Sequence, residues 1–313
     1  MENTIHFEGP EKKLEIILFS SLSNLRSDTD GRWEKVVKAS RSQIISKAST
    51  ENMDAYLLSE SSLFVWDDRI LMITCGQTTL IRTLPEIINI VGRANVAFVF
   101  YERKNCMFPQ EQPSSFEDDV AFMVEYFPGK YYKLGPVNHD HVDVFYSSHT
   151  NETPEQDATL QLLMHDLDQS AMDFFCKKNV SSALEAGKIS GLDSIYPRIV
   201  TDSYLFSPYG YSLNGIRNTS YITVHVTPQP EVSFASFETN IIEKDYLRAI
   251  KDIISIFKPG KFSLVLTTSM DEHCLLLHSQ VADAVPGYSV TDKSLYEFDC
   301  GYSVTFLNLK LET

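Results

Sequence analysis

Residues 56–65 read Y-L-L-S-E-S-S-L-F-V, and this stretch predicts two short strands joined by a polar segment. The apolar residues on each side of the segment are typical of buried strands. The segment itself, residues 59–62, carries one carboxylate and three hydroxyl groups. Because burying such groups without partners costs free energy, the segment is either a polar β-turn or a functional site. The residues alone leave both alternatives open.

Length and composition limit the class of protein around this stretch. The chain has 313 residues, of which 43% are hydrophobic and 22% charged, as expected of a globular protein with a large core. Its net charge of −15 argues against nucleic acid or an anionic membrane as the main partner. Residues 1–10 lack the features of a secretory signal, and no apolar run reaches the length of a membrane span. We therefore expect a cytoplasmic protein.

The cysteines favour a reduced compartment and no metal site. Their number is odd, they are scattered, and none forms a C-x-x-C pair, so free thiols are expected. The same scatter gives no zinc-ligand spacing. The five are Cys75, Cys106, Cys176, Cys274 and Cys300.

Working outward from residues 56–65, apolar patterning predicts many strands and fewer helices. The predicted strands cover residues 13–19, 42–46, 69–74, 96–101, 160–165, 199–205, 221–227, 233–238, 262–267 and 303–309. The predicted helices cover residues 29–40, 78–91, 116–127, 169–176, 181–188 and 244–257. Strands and helices do not alternate strictly, which favours an α+β fold with antiparallel sheets. The two halves share a similar rhythm, a faint indication of duplication.

The Glu60-Ser61 peptide bond is a candidate for self-cleavage. If the backbone is strained, the serine hydroxyl can attack the preceding carbonyl and convert the amide into an ester. Elimination and hydrolysis would then leave a pyruvoyl group at residue 61, a carbonyl that can accept electrons from an amine substrate. Taken alone, E-S-S is more typical of a turn.

Several motifs in order along the chain resemble the eukaryotic S-adenosylmethionine decarboxylases, a pyruvoyl-dependent family. The processing region of that family resembles residues 56–65 followed by I-T-C-G, residues 73–76. Further matches are F-E-G-P-E-K-K-L-E (7–15), P-Y-G-Y-S-L-N (208–214), H-V-T-P (225–228) and F-A-S-F-E-T-N (234–240).

The resemblance implies roles for individual residues. Ser61 resembles the precursor of the covalent pyruvoyl cofactor, and Glu60 resembles the last residue of the small chain. Cys75 resembles the acid that reprotonates the substrate α-carbon; the alternative is a structural thiol at a strand end. Ser212 and His225 resemble the pair that assists processing, a role that suits a histidine; the alternative for His225 is a structural residue.

The N-terminal motif and one later phenylalanine resemble the family's substrate site. Glu8 and Glu11 match active-site carboxylates, although such charges are usually solvated near a terminus. Phe7 and Phe206 match the rings that stack on the adenine and face the sulfonium. The alternative for both is a place in the core.

The first departure from the family concerns the ribose contact. Gln229 stands in T-P-Q-P, where the family commonly has glutamate to bind the ribose hydroxyls. An amide offers one acceptor oxygen and no charge, so we expect weaker ribose binding or help from Glu231.

The second departure concerns the buried site at which animal members bind putrescine. Glu15, Asp157 and Glu238 match its carboxylates, but Gln161 replaces a glutamate and Ile73 replaces a lysine. The isoleucine also resembles trypanosomatid members. We expect weak or absent stimulation by putrescine.

As a whole, the resemblance implies a four-layer α/β/β/α sandwich of two face-to-face antiparallel sheets with helices on the outer faces. Residues 1–313 would form one domain, cleaved into a β chain (1–60) and an α chain (61–313), and the αβ unit could stand alone or pair as a homodimer. The implied activity is Schiff-base decarboxylation of S-adenosylmethionine, which yields the aminopropyl donor for spermidine and spermine. The alternatives are a pyruvoyl decarboxylase of another amino acid, a non-catalytic regulatory paralogue, and a binding module without self-cleavage.

Overall fold

Two eight-stranded antiparallel sheets form the centre of the computed structural model, which describes residues 7–28, 30–150, 153, 156–281 and 285–312. The strands of the first sheet are β1 Lys12–Leu18, β2 Ile44–Ser49, β3 Met53–Leu58, β4 Ser61–Trp66, β5 Arg69–Thr74, β6 Val96–Lys104, β7 Lys130–Leu134 and β8 Val142–Ser148. The strands of the second are β9 Ala158–His165, β10 Val200–Leu205, β11 Tyr211–Arg217, β12 Ser220–Thr227, β13 Phe234–Thr239, β14 Lys261–Ser269, β15 Tyr288–Glu297 and β16 Tyr302–Leu311.

The two sheets share one topology. The order in the first sheet is β2-β3-β4-β5-β1-β6-β8-β7, and in the second it is β10-β11-β12-β13-β9-β14-β16-β15. Adding eight to each strand number of the first order gives the second. The similar rhythm of the two halves in the sequence therefore corresponds to a repeated chain path.

Helices cover the outer face of each sheet. The helices are α1 Arg32–Ala39, α2 Leu84–Val91, α3 Phe116–Val124, α4 Gln169–Met172, α5 Ala183–Ser190, α6 Leu247–Phe257 and α7 Glu272–Val281. The first three share one apolar core with the first sheet, and the other four share a core with the second. Ser115 caps α3 by accepting a hydrogen bond from the Asp118 amide. No helix among the described residues is long and apolar enough to cross a bilayer.

Alternation along β1 explains how the layers are built. Leu14 and Ile16 pack into the outer core beneath the helices. Because successive side chains of a strand point to opposite faces, Lys13 and Glu15 point between the two sheets. The Lys13 ammonium accordingly lies 2.9 Å from a carboxylate oxygen of Glu238 on the facing sheet. The first strand thus brings charged groups into the space between the layers.

Two apolar clusters fill the rest of the space between the sheets. One joins residues of β6 and β8 to residues of β9, β14 and β16, and includes Phe98, Val144 and Val265. The other joins β3, β4 and β5 to β11 and β12, and includes Phe64 and Tyr221. The α+β class and the four-layer arrangement predicted from the sequence are therefore confirmed.

Five elements were not predicted. They are β7, β8, β11, β15 and α7. The edge strands β7 and β15 are largely exposed, so their sequences lack an apolar face. Asn214 and Gly215 interrupt the apolar pattern of β11. The apolar residues of α7 are not confined to one side of the helix, which weakens the helical period.

Candidate active site

A two-residue turn, Ser59-Glu60, joins β3 to β4. The register pairs Leu58 with Ser61 across the turn, and Ser61 pairs with Thr74 on its other side. Ser61 has a φ of 127°, a value that residues with a side chain rarely adopt. Such a conformation costs on the order of 1–3 kcal/mol and persists only where the surroundings impose it. The segment is thus a β-turn, as one alternative held, and its strained residue is the candidate nucleophile.

Cys75 lies against the Glu60-Ser61 peptide bond. Its backbone N–H donates a hydrogen bond of 3.1 Å to the Glu60 carbonyl oxygen. Its thiol lies 3.7 Å from the same oxygen and accepts a contact of 3.4 Å from the Ser61 hydroxyl. The carbonyl that Ser61 would attack is therefore already polarised by a donor.

Burial changes the acidity of both groups that flank Ser61. It raises the pKa of the Cys75 thiol far above its usual range, and the charge of Glu60 adds to this effect. Burial also raises the pKa of the Glu60 side chain to about 7. Cys75 is consequently a protonated thiol at neutral pH, a state suited to donating a proton.

His225 reaches the turn from the facing sheet. Its Nδ1 lies 2.6 Å from Glu11 Oε1, which also accepts a hydrogen bond from Ser236. Its Nε2 lies 3.0 Å from Ser62 Oγ. Since a carboxylate only accepts hydrogen bonds, Glu11 favours a proton on Nδ1 and leaves the Nε2 lone pair directed at Ser62. His225 can therefore act as a base beside residues 61 and 62.

Ser62 is a member of this site that the sequence did not single out. Its side chain lies 2.6 Å from Asn214 Oδ1, and Thr223 Oγ1 lies 3.1 Å from His225 Nε2. The only sequence signal for Ser62 was its place in the polar segment. Its partners lie more than 150 positions away, so their proximity follows from the packing of the two sheets.

A cavity of about 200 Å³ opens beside Ser61. Phe7 and Phe206 both line it, as do Ser212 and His225, which are opposite each other on β11 and β12. The structure thus brings these four predicted residues together with Ser61. Among the described residues, no hydrogen bond joins the Ser212 and His225 side chains.

The two N-terminal carboxylates have different surroundings. Glu11 belongs to the His225 network described above. Glu8 accepts backbone hydrogen bonds from Met107 and Phe108, at 2.8 and 2.7 Å, and lines a neighbouring cavity. Both are buried, so neither is part of a solvated terminus.

The side chain of Gln229 connects two other residues of the site. Its Oε1 accepts a hydrogen bond of 3.0 Å from the Phe7 backbone N–H, and its Nε2 donates one of 2.8 Å to the Tyr209 hydroxyl. Both Phe7 and Tyr209 line the cavity beside Ser61. Gln229 therefore holds the cavity wall, and Glu231 next to it is exposed.

The three carboxylates that match the family's putrescine site, Glu15, Asp157 and Glu238, lie between the two sheets and form ion pairs with basic side chains of the protein. Arg69 donates to Asp157 at 2.7 and 3.2 Å and lies 3.4 Å from Glu15. Tyr302 also donates to Asp157, at 2.8 Å. Arg69 was missed in the sequence because its partner Asp157 lies on the other half of the chain.

Lys13 neutralises Glu238 in the same way as Arg69 neutralises Asp157. The Lys13 ammonium lies 2.9 Å from Glu238, whose other oxygen accepts a hydrogen bond from Gln161 at 2.5 Å. Glu102 sits opposite Lys13 on β6, and burial raises its pKa to about 7. Ile73 lies opposite Lys13 on β5 and belongs to the apolar cluster around Phe64.

No group of three or more His, Cys, Asp or Glu side chains within the described ranges is arranged to hold a metal ion.

Comparison with known proteins gives one consistent family. The family model described as adenosylmethionine decarboxylase matches residues 4–310. The chain is similar to the S-adenosylmethionine decarboxylase proenzyme of Dictyostelium discoideum, with 35% identity covering 96% of this chain and 85% of the relative. The proenzyme of Drosophila melanogaster is 36% identical, covering 92% and 90%. That of Leishmania donovani is 33% identical, covering 98% and 86%.

A solved structure has a similar fold. The crystal structure of Trypanosoma brucei AdoMetDC-delta26 monomer superposes with a TM-score of 0.65 and 25% sequence identity. The match covers 80% of this chain and 99% of that one.

The raised pKa of Glu102 predicts a specific pH dependence of stability. Its folded pKa of about 7 exceeds the ordinary value of 4.5, so the folded state binds the extra proton in that window. Stability therefore falls as pH rises through the window, because the buried carboxyl must ionise. Glu102→Gln should stabilise the protein more at pH 8 than at pH 5, measured as the shift in thermal midpoint relative to wild type.

The matched control is Glu297→Gln, at an exposed position of β15. It should shift the midpoint equally at both pH values. A Glu102→Gln shift that is the same at pH 5 and pH 8 would contradict the assignment.

Proposed function

Because the chain belongs to the adenosylmethionine decarboxylase family, we propose that it is a self-processing proenzyme that decarboxylates S-adenosylmethionine. The observation that carries this proposal is the strained backbone of Ser61 beside a carbonyl polarised by Cys75. A plain β-turn would have no need of either feature. The product would supply aminopropyl groups for spermidine synthesis.

Cleavage begins, in this proposal, with attack of Ser61 Oγ on the Glu60 carbonyl carbon. The oxygen of that carbonyl gains negative charge, which the Cys75 N–H stabilises. The Glu60 C–N bond then breaks as the Ser61 nitrogen takes up a proton, which leaves an ester. Relief of the unfavourable φ at Ser61 favours this direction.

Elimination completes the processing. A base removes the Ser61 α-proton, the Ser61 Cβ–Oγ bond breaks, and the main-chain carboxylate of Glu60 leaves as the new C-terminus of the small chain. The resulting dehydroalanine takes up water and releases ammonia, so that residue 61 becomes a pyruvoyl group. His225 lines the same cavity as Ser61, and its Nε2 lies 3.0 Å from the hydroxyl of the adjacent Ser62, so we assign it as this base.

The residues around Ser61 suit such a group. When formed, the pyruvoyl carbonyl supplies an electron sink for the pair released as carbon dioxide departs. We propose that Phe7 and Phe206 enclose the adenine and present a ring face to the sulfonium. Cys75, kept protonated by burial, then delivers its proton to the substrate α-carbon. Gln229 acts through Phe7 and Tyr209 by fixing the cavity wall.

The two products of cleavage should stay together as one domain. Residues 1–60 contribute β1, β2 and β3, and β1 lies between β5 and β6 of the larger chain. Strand β3 also pairs with β4 along its whole length. Separating the chains would break these ladders and expose the core, so we propose a tightly held αβ unit located in the cytoplasm.

Ser61→Ala tests the proposed function. The variant should remain one uncleaved chain and release no labelled carbon dioxide from carboxyl-labelled S-adenosylmethionine. Ser255→Ala, at an exposed position of α6, is the control and should match wild type. Decarboxylation by the Ser61→Ala protein would contradict the proposal.

Cys75→Ala separates processing from turnover. The variant keeps the backbone N–H that faces the Glu60 oxygen, so cleavage should slow by less than about tenfold. Turnover by the cleaved protein should fall about 10²–10⁴-fold, the range typical of a lost general acid. Cleavage is followed on a denaturing gel and turnover by carbon dioxide release.

Cys300→Ala is the matched control, since that thiol lines a different cavity. Equal loss of cleavage and turnover in Cys75→Ala would refute the role given to Cys75.

Putrescine should stimulate activity less than about twofold. Arg69 already pairs with Glu15 and Asp157, and Lys13 pairs with Glu238. An added diamine would have to displace these buried ion pairs, at a cost of several kcal/mol. The measurement is the decarboxylation rate at saturating putrescine, compared with sodium chloride of equal ionic strength. Several-fold activation by putrescine alone would be the contrary result.

A further inference from the structure

Asn214 lies on β11, in the sheet that faces the scissile turn, and its side chain is buried. Its amide nitrogen donates a hydrogen bond of 3.2 Å to the carbonyl oxygen of Tyr56, on the strand that leads into the turn. A carbonyl oxygen only accepts hydrogen bonds, so this contact fixes which end of the amide is the nitrogen. The amide oxygen is then the end that faces Ser62, on the strand that leaves the turn. One side chain of the facing sheet thus holds both strands of the turn.

Two hydroxyl groups donate to the amide oxygen of Asn214. The Ser62 hydroxyl donates at 2.6 Å and the Thr223 hydroxyl at 3.0 Å. An amide oxygen has two lone pairs, so it can accept both hydrogen bonds at once. Each hydroxyl has a single hydrogen, which leaves neither group with a second proton to donate.

The same two hydroxyls lie against Nε2 of His225, at 3.0 Å for Ser62 and 3.1 Å for Thr223. Glu11 favours a proton on Nδ1, so Nε2 carries a lone pair that either hydroxyl could occupy by donating to it. A lone pair occupied in this way is not free to take a proton. Because Asn214 accepts both hydroxyl hydrogens, the two oxygens turn lone pairs towards Nε2. Either oxygen can then accept a hydrogen bond from Nε2 once that nitrogen is protonated.

We propose that Asn214 is a positioning residue of self-cleavage, which keeps Nε2 of His225 available as the base of the elimination step. It acts through Ser62 and Thr223 rather than on the scissile bond itself. In the elimination, Nε2 takes the proton from the Ser61 α-carbon. The electron pair of that C–H bond forms the Cα–Cβ double bond, and the Cβ–Oγ pair leaves with the carboxylate. The inference rests on the proposed function.

Asn214→Leu tests this role, because leucine has nearly the shape of asparagine and accepts no hydrogen bond. The hydroxyls of Ser62 and Thr223 should then donate to Nε2, and elimination should slow about tenfold, the effect of one hydrogen bond. The preceding shift from amide to ester does not use this lone pair, so the ester should accumulate.

Hydroxylamine at neutral pH reports the ester. It cleaves the ester bond and releases a large chain that begins with an ordinary serine at position 61, whereas completed processing gives a chain blocked by a pyruvoyl group. Chains made by cell-free synthesis are sampled over time and treated with hydroxylamine. The ratio of the two large chains is then read by intact mass.

Two further variants separate this role from a loss of fold. When Asn214→Leu is combined with Ser62→Ala and Thr223→Val, no hydroxyl remains to occupy Nε2, so the excess of ester should disappear. Asn214→Asp keeps an acceptor for both hydroxyls and should process without an excess of ester.

Asn308→Leu is the matched control. Asn308 is a buried asparagine of β16 with the same bonding pattern as Asn214. Its oxygen accepts from the Ser263 hydroxyl at 2.7 Å, and its nitrogen donates to the Asp140 carbonyl oxygen at 2.8 Å. The substitution should lower the thermal midpoint without accumulation of ester.

An ester fraction in Asn214→Leu no larger than in wild type would overturn the proposal. So would an excess of ester that persists in the triple variant or that appears in Asn214→Asp or Asn308→Leu. If the leucine variants at position 214 show no cooperative melting, Asn214→Asp decides alone. If wild type itself is never cleaved, the proposed function fails instead.

Discussion

Ser61 is held in a strained backbone conformation by strand pairing on both of its sides. Leu58 lies opposite it across the turn, Thr74 lies opposite it on β5, and the Cys75 N–H fixes the carbonyl of Glu60. A residue paired on one side only could relax its φ. Because the ladders on both sides are buried and continuous, the strain of on the order of 1–3 kcal/mol is retained at the one bond where it is useful.

The second sheet supplies the candidate base and part of the cavity wall beside the turn. His225 comes from β12 and is oriented by Glu11, which precedes β1 of the first sheet. Phe206 and Phe7 both line the cavity, and Gln229, in the loop after β12, accepts a hydrogen bond from the Phe7 N–H. The site therefore exists only where the two sheets face each other. Elsewhere the interface between the sheets buries two ion pairs, Arg69 with Asp157 and Lys13 with Glu238. These two cations neutralise carboxylates that would otherwise be buried without a partner.

Local patterns in the sequence were sufficient for much of the fold. Strand β5 was predicted with its observed bounds, residues 69–74. Edge strands were missed because exposure removes their apolar face. In the site, the motifs indicated Ser61, Cys75 and His225 through a family resemblance. The contacts of Ser62, Arg69 and Lys13 could not be predicted, since each depends on a partner from the facing sheet.

The hydrogen bonds of Gln229 could not be predicted from the sequence either. A motif comparison marked it as an altered ribose contact, whereas the structure gives both of its polar groups partners within the protein. A motif identifies the position of a side chain in a family, but the hydrogen bonds of that side chain depend on neighbours that a motif does not contain.

Intact mass spectrometry of the purified wild-type protein tests the strained turn most directly. Self-cleavage requires a small chain that ends at Glu60 and a large chain whose first residue, position 61, is blocked by a carbonyl and resists N-terminal sequencing. A single active chain of 35.5 kDa, or a large chain that begins with an ordinary serine, would contradict it.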